Sequence, residues 1–320
     1  MQETTNTPLI SIVIPTFDRA ELLREALESV YKQSYRNFQV IVVDDGSTDH
    51  TAQMLEDYEG RVNVVWQSRG GISAARNAGL DQCRGEFVAF LDNDDLWAPD
   101  KLEAQVAFAL AAPQATVTYT DAFQFNAEGQ FPKTFVDHFP ALNDPTDLFQ
   151  RMIEEFAIPL MSTIMIRLDF LREHSLRFQE FAGIDDLLLF LEILRRGGQF
   201  AYLPRPLTWR RMHPGNFSGN HRRRFEQRAR LYRTMLAGMA DLTTDQRRAL
   251  KLGLRDAQYR VAECNWEDLR LPEARKDFLQ CVAPDKRGMR ALAYSVLSCL
   301  PRESVAGMRR WKTGSREPAR

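Results

Sequence analysis

The first 120 residues alternate between two patterns of apolar positions. Short runs such as Ile10–Pro15 are apolar almost throughout, whereas longer segments such as Ala20–Gln33 repeat leucine and valine at intervals of three or four. The first pattern predicts buried strands and the second predicts helices. The predicted strands are Ile10–Pro15, Phe38–Asp44, Val62–Trp66, Phe87–Leu91 and Thr116–Tyr119. The predicted helices are Ala20–Gln33, Ser47–Tyr58, Ser73–Gln82 and Pro99–Ala111.

This alternation of strands and helices predicts an α/β fold. Continuous apolar strands joined by helices are typical of a mostly parallel sheet with helices on both faces. In such sheets ligands bind beyond the carboxyl ends of the strands. Three polar segments directly follow predicted strands, namely Pro15–Asp18, Asp44–Ser47 and Asp92–Asp95. We therefore expect these segments to meet at one edge of the sheet and to form a binding site.

The rest of the chain changes character near residue 220. Residues 121–220 are irregular and rich in aromatic side chains, and from Phe225 onward the pattern is helical and polar. From His221 onward the chain has 23 Lys and Arg against 12 Asp and Glu, which leaves 19 against 31 in the first 220 residues. We predict a boundary near Asn216–His221. The acidic part suggests a cation site, and the basic part suggests a polyanionic partner such as a membrane face, a phosphorylated acceptor or nucleic acid.

The composition is that of a globular protein that can bury a core, with 44% apolar and 27% charged residues among 320. Four cysteines lack Cys-x-x-Cys spacing, so we expect reduced thiols and neither disulfides nor a zinc site. The N-terminus lacks the features of a signal peptide. The longest weakly polar stretch, Ala291–Leu300, falls short of the ~20 residues that cross a bilayer. We therefore expect a cytoplasmic protein.

Asp92, Asp94 and Asp95 lie within four residues at the end of a predicted strand. Carboxylates this close repel one another unless a cation relieves the repulsion, and Mg²⁺ and Mn²⁺ prefer such ligands. The cluster therefore predicts a metal site in which substrate phosphates complete the shell and the ion acts as a Lewis acid on a leaving group. The alternative is an acidic helix N-cap, because Asp95 precedes a predicted helix.

A second acidic pair, Asp44 and Asp45, also ends a predicted strand. A carboxylate at this edge can accept hydrogen bonds from a base N–H or a ribose hydroxyl. The alternative is turn chemistry followed by a helix cap, which by itself explains Gly46, Ser47 and Asp49.

The end of the first predicted strand and a glycine-rich segment supply the remaining candidate binding residues. Pro15 and Thr16 end the strand, and Asp18 fits a ligand or a cap of the next helix equally well. The segment Arg69–Gly79 supplies flexible backbone together with Arg76, a candidate phosphate partner.

Three motifs together resemble family 2 glycosyltransferases: SIVIPTFDRAELLREALESVYKQSYRNFQVIVVDDGSTDHT, GGISAARNAGL and GEFVAFLDNDDLWAPDKL. The resemblance is close over residues 9 to 110, follows the family's order, and extends more diffusely to His213. It implies the GT-A fold, a Rossmann-like α/β domain with a mostly parallel sheet flanked by helices, here with a C-terminal helical extension. It also implies an inverting enzyme of the type that builds bacterial polysaccharides and cell envelopes.

The resemblance implies roles for individual residues. The implied nucleotide-binding residues are Pro15, Thr16, Phe17, Asp18, Asp45, Arg76, Asp92 and Asn93. Among them Asp45 would contact the nucleobase, and Arg76 with Asn77 would lie near the ribose and phosphates. The family's D-x-D motif corresponds to Asp92, Asn93 and Asp94. Asp94 would be the direct ligand of Mn²⁺ or Mg²⁺, and Asp92 would lie near the ribose and the metal.

Farther along, Asp185 and Asp186 resemble the acidic pair, usually Glu-Asp, at a helix start of the family. By position Asp186 matches the catalytic base, which takes the proton of the acceptor hydroxyl during inverting transfer. The alternative is a helix N-terminus whose dipole favours acidic residues.

The segment Thr208–Ser218 resembles the basic, histidine-containing stretch that ends many of these domains. His213 would touch the metal or the diphosphate, and Arg210 or Arg211 the phosphates. We expect residues 1–218 to form the catalytic domain, with nucleotide-sugar binding at about 9–120 and the acceptor part at about 121–218, and residues 219–320 to form a basic helical region.

Past His221 only the residue pattern is informative. Apolar residues from Met289 to Leu300 fall at helical spacing, after Lys286, Arg287 and Arg290. The residues that follow include Arg302, Arg309, Arg310, Trp311 and Lys312. This pattern predicts an interfacial helix near anionic lipid, with a packing helix bearing solvated charges as the alternative. On the first hypothesis this region docks on the inner face of the cell membrane, where a lipid-linked acceptor would lie.

The sequence therefore predicts a metal-dependent transferase that moves a sugar from a nucleotide-diphosphate donor, expected to be UDP-linked, to a saccharide or lipid-linked saccharide. The alternatives are a non-catalytic nucleotide-sugar- or polyanion-binding protein on the same fold, and a nucleotidyltransferase. Nucleic acid is not an expected partner, because the basic segment 221–230 lacks the interleaved aromatic residues of stacking platforms.

Overall fold

The computed structural model describes residues 7–144, 146–181, 183–213, 221–301 and 303–306. The chain folds into two compact units, Met1–Asn216 and Phe217–Arg320. Several predictions lie outside the described residues. These are Asn216 at the expected boundary, the last part of Thr208–Ser218, and the basic residues Arg302, Arg309, Arg310 and Lys312 with Trp311.

The first unit is built on a nine-stranded sheet. Its strands are β1 (Ile10–Thr16), β2 (Phe38–Asp44), β3 (Asn63–Trp66), β4 (Phe87–Phe90), β5 (Leu96–Trp97), β6 (Ala115–Asn126), β7 (Gly129–Gln130), β8 (Ile164–Arg167) and β9 (Gln199–Arg211). The spatial order is β3-β2-β1-β4-β8-β6-β9-β5, and β7 pairs with β6. The strand predictions for the first 120 residues are confirmed, although β6 is longer than the segment predicted there.

Strands β1 to β4 form a parallel half-sheet, as the alternation of strands and helices predicts. Thr16 at the end of β1 pairs with Asp44 at the end of β2, and Val13 pairs with Phe90 at the end of β4. The other half of the sheet is mixed. Strand β8 runs antiparallel to both β4 and β6, β9 runs parallel to β6, and β5 runs antiparallel to β9. The α/β class is confirmed, and the irregular region 121–213 supplies most of the antiparallel pairs.

Among the described residues of this unit, eight α-helices accompany the sheet: α1 (Ala20–Tyr31), α2 (Thr51–Glu56), α3 (Ile72–Asp81), α4 (Lys101–Ala111), α5 (Phe135–His138), α6 (Leu148–Glu154), α7 (Leu168–Glu173) and α8 (Asp185–Arg195). Two 3-10 helices, Pro140–Asn143 and Met161–Thr163, lie between them. Helices α1, α2 and α4 cover one face and bury leucine and valine side chains against Ile10, Ile12 and Ile14. These apolar contacts remove the helical stripe from water and supply the main driving force for this packing.

Helix α2 begins four residues later than predicted. The amide of Ser47 donates to Asp44 at 2.6 Å, and the amide of Thr48 donates to Asp18 at 2.6 Å. The carboxylates of Asp44 and Asp18 thus satisfy the amides of Ser47 and Thr48, and the segment before Thr51 forms a loop.

The second unit is helical, as predicted for this region. Its helices are α9 (His221–Gly238), α10 (Thr244–Glu267), α11 (Leu271–Leu279) and α12 (Lys286–Leu297). A separate apolar cluster that includes Tyr259, Trp266 and Phe278 lies among α10, α11 and α12. Thr243 and Gln246 form a capping box at the start of α10, which satisfies amides that the first turn leaves unpaired. Among the described residues, no helix has the length and apolar character needed to cross a membrane.

Candidate active site

The loops after β1, β2 and β4 meet at one edge of the sheet, as the sequence predicts. Thr16 connects all three, because its carbonyl accepts from the amide of Asp45 at 2.9 Å and its hydroxyl accepts from the side-chain amide of Asn93 at 2.8 Å. Pro15, Thr16, Asp45 and Asn93 are all buried. Buried polar groups that satisfy one another in this way hold the three loops in fixed positions.

Asp45 organises the glycine-rich turn between β3 and α3. Its carboxylate accepts from the amides of Gly70 at 2.7 Å and Gly71 at 2.8 Å, and from the side chain of Gln67 at 2.7 Å. In the same turn the guanidinium of Arg69 lies 3.7 Å from the centre of the Phe17 ring. A cation over an aromatic face is attracted by the negative charge of that face, so this contact joins the glycine-rich turn to the loop after β1.

Asp18 and Asp49 brace the loops after β1 and β2 against each other. Asp18, at a positive φ of 49°, accepts from the amides of Thr48 and Asp49. Asp49 in turn accepts from the amide of Ala20, the first residue of α1, at 3.1 Å. The interpretation of Asp18 as the cap of α1 is therefore wrong, because Asp49 from the neighbouring loop provides the carboxylate at that helix start.

Arg76 is buried and holds two carboxylates from distant parts of the chain. Its guanidinium donates to Asp185 at 2.7 Å and to Asp92 at 2.9 Å, and the residue is only 5% exposed. Burial alone would lower the pKa of Arg76, but the negative charges of Asp185 and Asp92 outweigh it and raise that pKa. The pairing of Arg76 with Asp185 is a contact that the sequence did not reveal, because 109 positions separate the two residues.

Asp94 lies between two cationic or ionisable side chains. One carboxylate oxygen accepts from Arg19 at 2.6 Å and lies 3.0 Å from Nε2 of His213. Of the three predicted metal ligands, Asp94 and His213 therefore come together, whereas Asp92 is turned toward Arg76. Within the described ranges, no group of three or more Asp, Glu, His or Cys side chains is arranged to hold a metal. One carboxylate and one imidazole still fit Mg²⁺ or Mn²⁺ when a diphosphate supplies further oxygens.

Asp95 fixes the loop after β4 in place and does not cap a helix. Its carboxylate accepts from the hydroxyl of Ser162 at 2.6 Å and from the amide of Arg211 at 3.0 Å. Burial, with the charges of Asp92 and Asp94, raises the pKa of Asp95 to about 8. The N-cap interpretation is wrong, because the short strand β5 intervenes before α4 and Asp100 precedes that helix.

Asp186 occupies the first turn of α8 beside the buried Asp185. It is partly exposed, and no described cation lies within ion-pair distance of it. Desolvation, followed by the negative charge of Asp185, raises the pKa of Asp186 to about 7, against an opposing effect of Arg76. The two adjacent carboxylates therefore differ, since Asp185 neutralises Arg76 and Asp186 remains available to exchange a proton.

The remaining predicted residues have structural partners. The side-chain amide of Asn77 exchanges hydrogen bonds with the backbone of Phe178, at 2.8 and 2.9 Å, and thereby fastens α3 to the segment before α8. Arg211 donates to the carbonyl of Asp94 at 3.0 Å and to Glu25 at 2.5 Å. Arg210 lies near the Phe135 ring, 5.7 Å from its centre.

Comparison with known proteins identifies the family of the first unit. The family model described as Glycosyl transferase family 2 matches residues 11–171. A relative from Bacillus subtilis, TuaG, whose name assigns it to teichuronic acid biosynthesis, is 39% identical over 107 residues, which are 32% of this chain and 42% of that protein. In four curated relatives the matched segment spans 33% to 44% of their length.

Solved structures show the same fold. S. aureus TarS 1–349 in complex with UDP-GlcNAc has a TM-score of 0.63 at 21% identity, covering 95% of this chain and 92% of that one. The mannosyltransferase PcManGT from Pyrobaculum calidifontis, in complex with GDP-Man and Mn²⁺, has a TM-score of 0.59 at 18% identity, covering 95% and 84%. The prediction of a GT-A fold is confirmed.

Proposed function

The chain belongs to glycosyl transferase family 2, and on that basis we propose that it transfers a sugar, with inversion, from a nucleotide-diphosphate donor to a saccharide or lipid-linked saccharide. One observation carries the proposal. Of two adjacent carboxylates at the start of α8, Asp185 forms an ion pair with Arg76. Asp186 is partly exposed, and burial with the charges of Asp185 and Asp92 raises its pKa to about 7. A carboxylate with a pKa near neutrality suits a general base.

We assign the donor nucleotide to the loops after β1, β2 and β4. Pro15, Thr16, Phe17 and Asp18 would line the pocket, with Asp45 at the nucleobase. Asp92, Asn93 and Arg76 would lie by the ribose and phosphates. The hydrogen bonds from Asn93 to Thr16 and from Asp45 to Thr16 support this assignment, because they hold the three loops together before a donor arrives. By analogy with TarS, whose structure holds UDP-GlcNAc, we propose a UDP-linked sugar.

Asp94 would hold a divalent cation, Mn²⁺ or Mg²⁺, with His213 as a second ligand and Asp92 nearby. When bound, such an ion stabilises negative charge that develops on a diphosphate leaving group. Arg19 already neutralises Asp94 at 2.6 Å, so Arg19 would have to turn away from Asp94 as the cation binds. The amide of Arg211 and the hydroxyl of Ser162 hold Asp95, which keeps the loop carrying Asp94 in place.

The acceptor hydroxyl would give its proton to the carboxylate of Asp186 as its oxygen attacks the anomeric carbon. Arg76 fixes the position of α8 through Asp185 and orients Asp92 on the opposite side, so one buried cation ties the base to the donor-binding loops. All these residues belong to the first unit, and we assign the reaction to it.

Slow hydrolysis of the donor tests the proposal, because it requires no acceptor. The full chain would be incubated with a panel of nucleotide-diphosphate sugars in the presence of Mn²⁺, Mg²⁺ or EDTA. We expect a nucleoside diphosphate as product, only with metal, and a rate lower by about 10²–10³-fold in Asp94→Asn, as expected when metal assistance worth several kcal/mol is lost.

Asp57→Asn is a matched control, since Asp57 is a surface carboxylate paired with Arg24, and it should hydrolyse the donor normally. In a parallel assay with a nucleoside triphosphate and a sugar 1-phosphate in place of the donor, release of pyrophosphate would instead identify a nucleotidyltransferase. Donor binding without hydrolysis would favour a non-catalytic nucleotide-sugar-binding protein, and absence of both for every donor would favour the non-catalytic polyanion-binding alternative.

A further inference from the structure

The second unit exposes an unusual number of large apolar side chains within a short segment. Among the described residues, eleven large apolar side chains are exposed, and six of them lie between residues 279 and 300. These six are Leu279, Val282, Met289, Leu292, Val296 and Leu300. Their exposed fractions run from 38% to 62%. A cluster of this kind marks a surface that binds a partner or a membrane more often than it marks a free surface.

Half of the cluster belongs to one side of α12. Met289, Leu292 and Val296 follow one another at intervals of three and four residues, which places them on the same side of a helix. The other side of α12 is already used, because Ala291 and Ser295 are buried and Tyr294 and Leu297 pack against the core of the unit. The exposed side therefore contributes nothing to the packing of its own unit.

The charges around this row are positive. No Asp or Glu occurs from Lys286 to Arg302, and Lys286 and Arg290 are exposed. Two acidic residues flank this segment. Asp285 is engaged by Arg255 at 2.6 Å and by the amide of Gly288, and Glu303 is exposed. Arg287 is paired with Asp256 at 2.6 Å. The sequence that follows, residues 307–320, adds five Lys and Arg against one Glu.

We propose that the α12 surface, formed by Met289, Leu292, Val296 and Leu300 with Lys286 and Arg290, binds the anionic surface of a lipid bilayer. The helix lies in the plane of the interface, with its apolar row among the acyl chains and its lysine and arginine at the phosphates. The positive charge of the α12 surface favours anionic lipid over a second copy of this chain as the partner. A second copy of this chain would bring the same positive charges face to face, whereas anionic lipid offers the opposite charge across the whole surface.

The binding is reversible and salt-sensitive. A row of four apolar residues is short for a stable anchor, so attachment needs the apolar and the electrostatic contributions together. The proposal does not depend on the transfer reaction, because a membrane-bound protein without catalytic activity would use the same surface.

Co-sedimentation of the full chain with vesicles tests the proposal. We expect binding to phosphatidylcholine vesicles that contain phosphatidylglycerol, little binding to pure phosphatidylcholine, and release by salt. The double variants M289Q/V296Q and K286Q/R290Q should each weaken the binding at least about tenfold, since each removes one of the two required contributions. Leu252→Gln and Arg233→Gln change exposed residues of α10 and α9, and they should bind like the unmodified chain.

All variants should have the thermal unfolding midpoint and the rate of donor hydrolysis of the unmodified chain. A loss of vesicle binding can then be told apart from a loss of folding or of the proposed activity. Equal binding to both kinds of vesicle would overturn the proposal of lipid binding, as would unchanged binding of either double variant. Sedimentation velocity measures whether the full chain forms a dimer through the α12 surface. A dimer of the full chain that M289Q/V296Q dissociates, without any vesicle binding, would assign the α12 surface to a second copy and overturn the proposal.

Discussion

Asp185 and Asp186 are neighbours in the chain, yet their side chains have different surroundings. Asp185 is 3% exposed and forms an ion pair with Arg76. Asp186 is partly exposed and keeps a raised pKa. Under the proposed function, this difference lets one acidic pair at a helix start provide both a structural ion pair and a proton acceptor. It also predicts different consequences when each carboxylate is replaced.

Asp186→Asn should lower the rate of transfer by about 10²–10⁴-fold, the usual contribution of a general base, while donor affinity stays unchanged. Initial rates and donor binding by calorimetry measure the two effects separately. Asp169→Asn, which changes an exposed carboxylate on α7, is the matched control and should behave like the unmodified chain. Normal transfer by Asp186→Asn with unchanged donor affinity would show that another group accepts the proton.

Asp185→Asn should act differently from Asp186→Asn, through stability. It leaves the buried guanidinium of Arg76 with one carboxylate fewer, and unpaired buried charge is costly, at ~3 kcal/mol when one partner of a buried ion pair is removed. Urea unfolding compares the two variants. We expect a lower free energy of unfolding for Asp185→Asn than for Asp186→Asn.

The pKa of Asp186 predicts the pH dependence of the reaction. The group accepts a proton only when ionised, so the rate should rise with pH and level off above a midpoint near 7. Burial raises the pKa of Asp186 most, and the charges of Asp185 and Asp92 raise it further, whereas Arg76 and the amide of Leu187 lower it. A pH profile of kcat/KM that is flat across the neutral range would contradict this prediction. In Asp186→Asn the ascending limb should disappear.

At the scale of elements, the position of Arg76 depends on how closely α3 approaches the sheet. A Cβ on Gly79 would lie 2.4 Å from Cγ1 of Val13 on β1 and 3.3 Å from Cγ2 of Val43 on β2. Only glycine allows this contact, and α3 then carries Arg76, one turn earlier, to the edge where Asp92 and Asp185 lie. Gly79 is thus required for the packing of α3 on the sheet, and this packing sets the position of Arg76 in the site.

Gly79→Ala should therefore destabilise the protein by about 1–3 kcal/mol, although alanine favours a helix by ~1 kcal/mol. It should also weaken donor binding, because α3 shifts outward. Urea unfolding measures the first effect and calorimetry the second. Gly238→Ala in α9 is the matched control, since nothing lies within 4 Å of its added Cβ, and it should be neutral or slightly stabilising. Equal stability of Gly79→Ala and the unmodified chain would contradict the packing argument.

The elements differ in how far the sequence reveals them. Strands β1 to β4 and helices α1, α3 and α4 carry strong local patterns, so their bounds fall within a few residues of the predicted ones. Strand β8 and the pairing of β6 with β9 escaped prediction. Their register joins segments far apart in the chain, and a pattern within one window carries no information about such a partner.

At the scale of the whole molecule, each unit has its own apolar core. Phe278 of the second unit is fully buried, with its ring centre 5.5 Å from that of Tyr259 and 5.1 Å from that of Tyr294. Phe190 of the first unit is also fully buried, against Phe200. Two separate cores favour two cooperative unfolding transitions, because each core is lost as a whole.

Phe278→Ala should lower one transition in scanning calorimetry and leave the other in place, because deletion of a buried aromatic ring costs about 3–5 kcal/mol within its own core. Phe190→Ala, the matched variant, should lower the other transition. Donor hydrolysis below both transitions should survive Phe278→Ala. A single transition that both substitutions shift alike would show that the two units unfold as one.

The sequence by itself determined which residue types stand at the ends of β1, β2 and β4, because local periodicity fixes strands and helices, and parallel strands bring their carboxyl ends to one edge. It also determined the charge difference between the two parts of the chain. Only the tertiary structure decided which side chains of the site contact one another. Arg76 selects Asp185 across 109 positions, and His213 reaches Asp94 across 119. Such contacts depend on how separate elements pack, and no local pattern records that packing.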